Sequence, residues 1–181
     1  MNVRMEKIKE EWLPLIMDWR MRPYITKFMN TDPVLTLDSQ RDWFIKIEKD
    51  SSQKHWVILM DEVPIGLVQL MDIDFQNERC EWGWYIAEKE KRSFQLAVQI
   101  MYNLYDYVFD VLHLNKVYGQ TFLENDGMVK LHMFCGNTQE GILRRHIKKN
   151  GQFYDVVVTS ILKDEWVTQR RELIYEKFSF A

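Results

Sequence analysis

The sequence predicts a mixed α/β fold with α+β character, in which a meander of strands is followed by alternating helices and strands. Three observations carry that expectation. Short apolar runs at 56–60, 65–71 and 79–86 are separated by turn-forming residues, as in an antiparallel meander. The apolar spacing then turns helical from Phe94 to Leu112, with Leu96, Ile100, Leu104, Val108 and Val111 on one stripe. Beyond it, Asn150-Gly151 joins two strand-like stretches as a hairpin turn would.

The elements follow in order. Val3 to Glu6 reads as an opening strand, and Glu10 to Arg20 as a helix interrupted or bent near Pro14. Residues 22–36 mix turn and apolar residues, a structured loop or short helix. Ser39, with Asp42 three residues on, resembles an N-cap opening a helix through Trp43, Phe44 and Ile47. After the three-strand meander and the long helix, Lys116 to Leu123 reads as a strand and Met128 to Phe134 as a helix. The hairpin strands are Gln139–Lys148 and Gln152–Leu162, and Asp164 to Lys177 reads as a last helix, in a C-terminal extension over 164–181. With no repeat and no Gly/Ser-rich linker, residues 1–181 read as one domain.

Composition narrows the function classes. An apolar content of 46% with only seven glycines and four prolines describes a globular chain rather than a disordered one. A net charge of −3 with interspersed signs gives no reason to expect nucleic acid or an anionic membrane as partner. The stretch Met1 to Lys7 lacks the apolar core of a secretory leader, and no run is long enough to span a bilayer. Cys80 and Cys135 make neither a disulfide framework nor a metal site, so a reduced cytoplasmic setting and no metal are expected.

Six stretches in series then resemble the GNAT superfamily of N-acetyltransferases. They are Pro64 to Val68; Cys80 to Ile86; Tyr107-Val108-Phe109 with Leu112 and Asn115-Lys116-Val117; Glu124-Asn125 leading a short helix to Cys135-Gly136; Gln139 to Arg144; and Gly151 to Val156. The resemblance implies a central twisted mixed sheet, flanked by helices, whose fourth and fifth strands splay apart. It also implies acetyl-coenzyme A as co-substrate and a primary amine as acceptor. In that frame the pantetheine arm fills the splay and pairs with backbone groups of Tyr85, Ile86 and Ala87, completing an open strand edge. The pyrophosphate lies on the backbone from Arg92 through Ser93, Phe94, Gln95 and Leu96 to Ala97, where a helix begins and unpaired N–H groups collect. This sequence departs from the family there: Gln95 stands where a glycine is usual. A plain helix start flanked by the solvated cations Lys89, Lys91 and Arg92 is the alternative.

Acetyl transfer needs a neutral amine, a stabilised oxyanion and a protonated leaving thiolate. The resemblance puts a general base at Glu81, an oxyanion donor at the backbone N–H near Ile86, a pantetheine-holding side chain at Asn125 and a general acid at His132. A histidine of near-neutral pKa suits the last task. The bland alternatives are an ion pair of Glu81 with Arg79 or with an arginine on another strand, and a histidine packed on a helix face.

The N-terminal third, with Asp18-Trp19-Arg20, Pro23, Ile25, Phe28-Met29 and Gln40 to Phe44, is similar to acetyltransferases of UDP-linked 4-amino sugars in the pseudaminic-acid pathway. That likeness implies acceptor contacts at Arg20, Gln40, Met71, Asp72 and Tyr85, with Arg20 on a diphosphate. Trp19 and Trp43 also read as helix-packing core. A polyamine acceptor held by Asp72, Asp74 and Glu78, a peptide N-terminus, and a degenerate domain without turnover stay open, as does a homodimer.

Overall fold

The computed structural model describes residues 2–181; Met1, included in the domain expected from the sequence, lies outside the described residues. One mixed sheet has its strands in the order 138–149, 152–162, 116–122, 79–86, 63–74, 54–60, 3–7 and 179–180. The described chain falls into two compact units. The first comprises 2–71, 83–91 and 178–181, and the second comprises 72–82 and 92–177.

In the first unit, β1 (Val3–Lys7) pairs antiparallel with β2 (Lys54–Met60), and β2 with β3 (Val63–Asp74). The β2–β3 turn is two residues, Asp61 and Glu62, at φ 48° and 67°, the left-handed pair that matches strand twist. Val63 and Pro64, expected in that turn, instead open β3. Helix α1 (Leu13–Met21) follows a 3-10 turn over Glu10–Trp12. Pro14 lies in the helix's first turn, where no N–H is needed, so it starts the helix rather than bending it. Next come α2 (Pro23–Thr26) and α3 (Leu37–Lys49). The cap of α3 is Thr36, not Ser39: Thr36 Oγ1 accepts the Ser39 N–H and Ser39 Oγ accepts the Thr36 N–H. Leu13, Ile16, Trp19, Ile25, Val57, Leu59 and Leu67 form the core of this unit.

Strand β4 (Arg79–Ile86) leaves its final residues, Gly83 to Ile86, in the first unit. Gly66 makes room for them. A Cβ at Gly66 would stand 2.1 Å from the Tyr85 carbonyl oxygen, a backbone atom that cannot swing aside.

In the second unit, β5 (Lys116–Phe122) runs parallel to the start of β4 and antiparallel to β7 (Gln152–Leu162), which carries β6 (Thr138–Lys149) on its other side. The β4–β5 register runs from Arg79↔Lys116 to Glu81↔Tyr118. The next residue, Trp82, lays its indole over Gly119, where a Cβ would come within 2.5 Å of the ring. Asn150 and Gly151, at φ 49° and 80°, make the expected hairpin turn.

Helix α4 (Phe94–Asp106) buries Leu96, Ile100 and Leu104 completely. It ends in a π-helical turn over Tyr107–Val111, so the stripe predicted to Leu112 changes pitch near its end. Helix α5 spans Asp126–Phe134, and α6 spans Lys163–Gln169 followed by a 3-10 turn to Glu172. The expected helix to Lys177 therefore stops early. Asp106 Oδ1 accepts Trp166 Nε1 and Arg170 Nη1, and its Oδ2 accepts Tyr175 Oη and Lys177 Nζ. One half-buried carboxylate thus holds the end of this unit in extended form, and residues 179–180 form β8 against β1. Among the described residues no helix is long and apolar enough to cross a membrane.

Candidate active site

In the second unit, Glu81 of β4 lies opposite Tyr118 of β5. Burial, and next the like charge of Asp72, raise its pKa above the usual carboxylate value, while Gln120 opposes this by hydrogen bonding. The alternative ion pair is absent. Arg79 faces Asp74 at 3.9 Å, and Glu81 has no cationic partner among the described residues. Asp72 is exposed and takes φ 48° inside β3, a strained conformation for a non-glycine strand residue. A carboxylate whose ionised form is disfavoured, beside a second carboxylate, is suited to receive a proton from an arriving ammonium.

The α4 start is well formed without glycine. Ser93 is extended at φ −144°, its Oγ accepts the Leu96 N–H at 3.1 Å, and its carbonyl accepts the Ala97 N–H. Among the described residues no position from 92 to 97 has positive φ, so Gln95 imposes no backbone strain and its side chain is exposed. Capping takes the Leu96 N–H out of use. Phe94 and Gln95 remain with amides that have no intrahelical acceptor. Exposed Arg92 stands beside them.

Asn125 caps α5 through its backbone, accepting the Met128 and Val129 N–H groups, while its half-buried side chain makes no capping bond. His132 departs from the expectation of a near-neutral pKa. The residue is fully buried, its Nδ1 lies 3.2 Å from Thr159 Oγ1, and its ring meets Trp82 edge-on at 4.5 Å. Burial pushes its pKa down to about 4. At neutral pH the ring is uncharged, and an imidazolium acid is not what this environment favours. The consequence for stability has a definite sign. The unfolded chain takes up this proton near pH 6.5 and the folded chain only near 4, so the His132 contribution weakens stability as pH falls through that window. Urea unfolding of wild type between pH 6.5 and 4.5 should show this slope, and His132→Phe should flatten it by up to ~3 kcal/mol.

In the first unit, Arg20 occupies the last turn of α1, half-buried. Its guanidinium contacts the Met29 thioether, and among the described residues no carboxylate pairs with it. Arg22 differs, being satisfied by Asp18, Tyr24 and Glu88. Arg20 and Arg22 both act electrostatically on Tyr85, whose hydroxyl is buried with no hydrogen-bond partner and whose pKa burial raises. Trp19 meets the Tyr85 ring edge-on at 6.3 Å and donates its indole N–H to Glu88, the core role expected for it. An orphaned buried hydroxyl beside a cation without a carboxylate is an unsatisfied arrangement that an anionic, hydrogen-bonding group would complete. Sequence reasoning named both residues but had no signal for the orphaned hydroxyl.

Three expected contacts fare differently. Ala87 is engaged at both ends, donating its N–H to Ile65 at 2.7 Å and accepting Tyr24 Oη at 3.0 Å. The turn after β4 thus uses the Ala87 N–H and one lone pair of its carbonyl oxygen. Gln40 is buried in α3, and Met71 is half-buried with its sulfur accepting Gln69 Nε2 at 3.2 Å. Lys89 lies over the Tyr24 ring at 4.1 Å, so it is not merely solvated.

The chain is 27% identical over 147 residues to a spermidine N(1)-acetyltransferase of Vibrio cholerae, covering 80% of this chain and 84% of that one. It is also 27% identical over 126 residues to the acetyltransferase PseH of Campylobacter jejuni, covering 70% and 76%. A crystal structure of spermidine N-acetyltransferase from Vibrio cholerae in complex with CoA and spermine matches the fold with a TM-score of 0.86 at 24% identity, over 92% of this chain and 98% of that one. The profile of the acetyltransferase (GNAT) domain matches residues 2–138, and the chain belongs to that family of acetyl-transferring enzymes.

Proposed function

We propose that the protein transfers an acetyl group from acetyl-coenzyme A to a primary amine borne by a phosphate-carrying small molecule, a nucleotide-linked amino sugar being the leading case. The observation that carries the acceptor class is Arg20, a half-buried guanidinium with a sulfur contact and no carboxylate, acting on the orphaned Tyr85 hydroxyl. Guanidinium forks match phosphate oxygens, and desolvation makes such a contact worth more than it is in water.

The residues present suit the co-substrate. The amides of Phe94 and Gln95, the Arg92 side chain and the α4 dipole are proposed to take phosphate oxygens, and Asn125 with the backbone of Tyr85 and Ile86 the amide-rich arm. Glu81, directly or through a water, takes the proton that the attacking amine must lose, and burial, which raises its pKa, favours its holding that proton. The amine nitrogen then bonds to the thioester carbon and the carbon–sulfur bond breaks. His132 is neutral in its pocket, so the thiolate's proton is assigned to water. Residues 1–181 are proposed to act as one cytoplasmic domain, with no metal and with neither nucleic acid nor membrane as partner.

A polyamine acceptor is the second reading. It is favoured by Asp72 beside Glu81, two carboxylates able to attract a polycation, and by relatives named as spermidine acetyltransferases. Asp74 contributes little to it, since its carboxylate is occupied by the Gln76 and Asn77 amides and the Asn77 side chain. Release of free thiol from acetyl-coenzyme A, measured against a panel of UDP-amino sugars, spermidine, spermine and short peptides, decides between them. The expected result is turnover with the UDP-amino sugars. Turnover with spermidine alone would install the second reading.

A further inference from the structure

Strand β6 carries Arg144, Arg145 and His146 in succession, and β6 and β7 do not pair there. The register jumps from Leu143↔Val156 to Ile147↔Tyr154, so three residues of β6 stand opposite Asp155 alone. Arg145 takes φ 52°, and the Asp155 carboxylate accepts its backbone N–H at 2.7 Å. Asp155, opposite the bulge, thereby engages the main chain through one of its carboxylate oxygens. The guanidinium groups of Arg144 and Arg145 have no carboxylate partner among the described residues, and Arg144, Arg145 and His146 are all exposed. The far side of Asp155 fixes where the bulge sits. Its carbonyl accepts the Leu123 N–H at 3.0 Å, and two residues on, the Asn125 N–H bonds to Phe122 at 2.8 Å. The bulge is thus tied through one residue to the turn that bears Asn125. Strand bulges re-aim side chains, and this one gathers positive charge beside a turn already assigned to the co-substrate, on a chain of net charge −3.

We propose that the Arg144–His146 bulge is a phosphate-binding element of the active site, taking phosphate oxygens of a nucleotide ligand. It rests on the proposed use of nucleotide-bearing substrates. Two sources offer the same chemistry: the 3′-phosphate of the coenzyme, and the diphosphate of the acceptor. Calorimetric titration of the full chain with coenzyme A, 3′-dephospho-coenzyme A and UDP separates them, with wild type compared to Arg144→Gln and Arg145→Asn. Asparagine tolerates the left-handed conformation at 145, so the backbone of the bulge is kept. Each variant should bind the relevant phosphate about ten-fold more weakly, with a shallower salt dependence and an unchanged melting temperature, and Arg144→Lys should recover part of the loss. Weakening confined to coenzyme A, with dephospho-coenzyme A unaffected, assigns the bulge to the 3′-phosphate. Weakening confined to UDP assigns it to the acceptor. Wild-type binding that both variants retain in full overturns the bulge alone. Failure of wild type to bind any of the three overturns the bulge together with the functional reading beneath it.

Discussion

Glu81→Gln is expected to lower turnover by about 10²- to 10⁴-fold, the usual contribution of a positioned proton acceptor, with little change in the affinity for acetyl-coenzyme A. The pH dependence makes the test specific. A base works only when deprotonated, so the wild-type rate falls as pH drops through the Glu81 pKa. Burial first, and the Asp72 charge second, hold that pKa above its usual 4.5. The acid limb of the rate profile should therefore lie above the ordinary carboxylate range. Asp72→Asn removes the smaller cause and should move the limb toward lower pH without restoring 4.5. Rate profiles of wild type and both variants, taken under saturating acceptor, check this. An unchanged rate in Glu81→Gln would assign proton removal to solvent.

Arg20→Ala is expected to raise the Michaelis constant for a UDP-amino sugar by about ten- to a hundred-fold, since a charge-assisted contact contributes ~1.5–3 kcal/mol. The constant for acetyl-coenzyme A should move far less. Tyr85→Phe removes a hydroxyl that already lacks a partner in the folded protein, so it should leave stability intact or improved. Any loss it causes in acceptor affinity then reports a contact made only with substrate. Under the polyamine reading the pattern inverts: Arg20→Ala is indifferent and Asp72→Asn raises the constant for spermidine. Steady-state kinetics of the three variants on both acceptor classes decide the matter. Wild-type behaviour of Arg20→Ala on every active acceptor would end the phosphate-acceptor reading.

Much of the fold was legible because its signals are local. Period-two and helical spacings marked β4, β7 and α4, and Asn150-Gly151 announced its own turn. Errors gathered where a local signal had two readings. Pro14 bends a helix interior but starts a first turn, and Thr36 and Ser39 are equally good caps until the backbone says which is extended. The C-terminal segment looked helical by composition, yet the hydrogen bonds of Asp106 to Tyr175 and Lys177 hold it extended, a contact about seventy residues away in the chain.

The sequence by itself determined the order of elements, the family, and the chemical types available at positions such as Glu81, Arg20 and Asn125. Those follow from residue identity and spacing, which survive without coordinates. Only the tertiary structure decided what state each group is in, because protonation and pairing depend on desolvation and on neighbours distant in the chain. Glu81 could have been neutralised by Arg79, and is instead left beside Asp72. His132 could have been a near-neutral acid, and is instead sealed against Trp82 and Thr159 with its pKa near 4. Ala87 spends its backbone on Ile65 and Tyr24, while Arg20 is left with a thioether and the Tyr85 hydroxyl with nothing, since satisfaction of a buried polar atom is settled by which strands and helices meet around it.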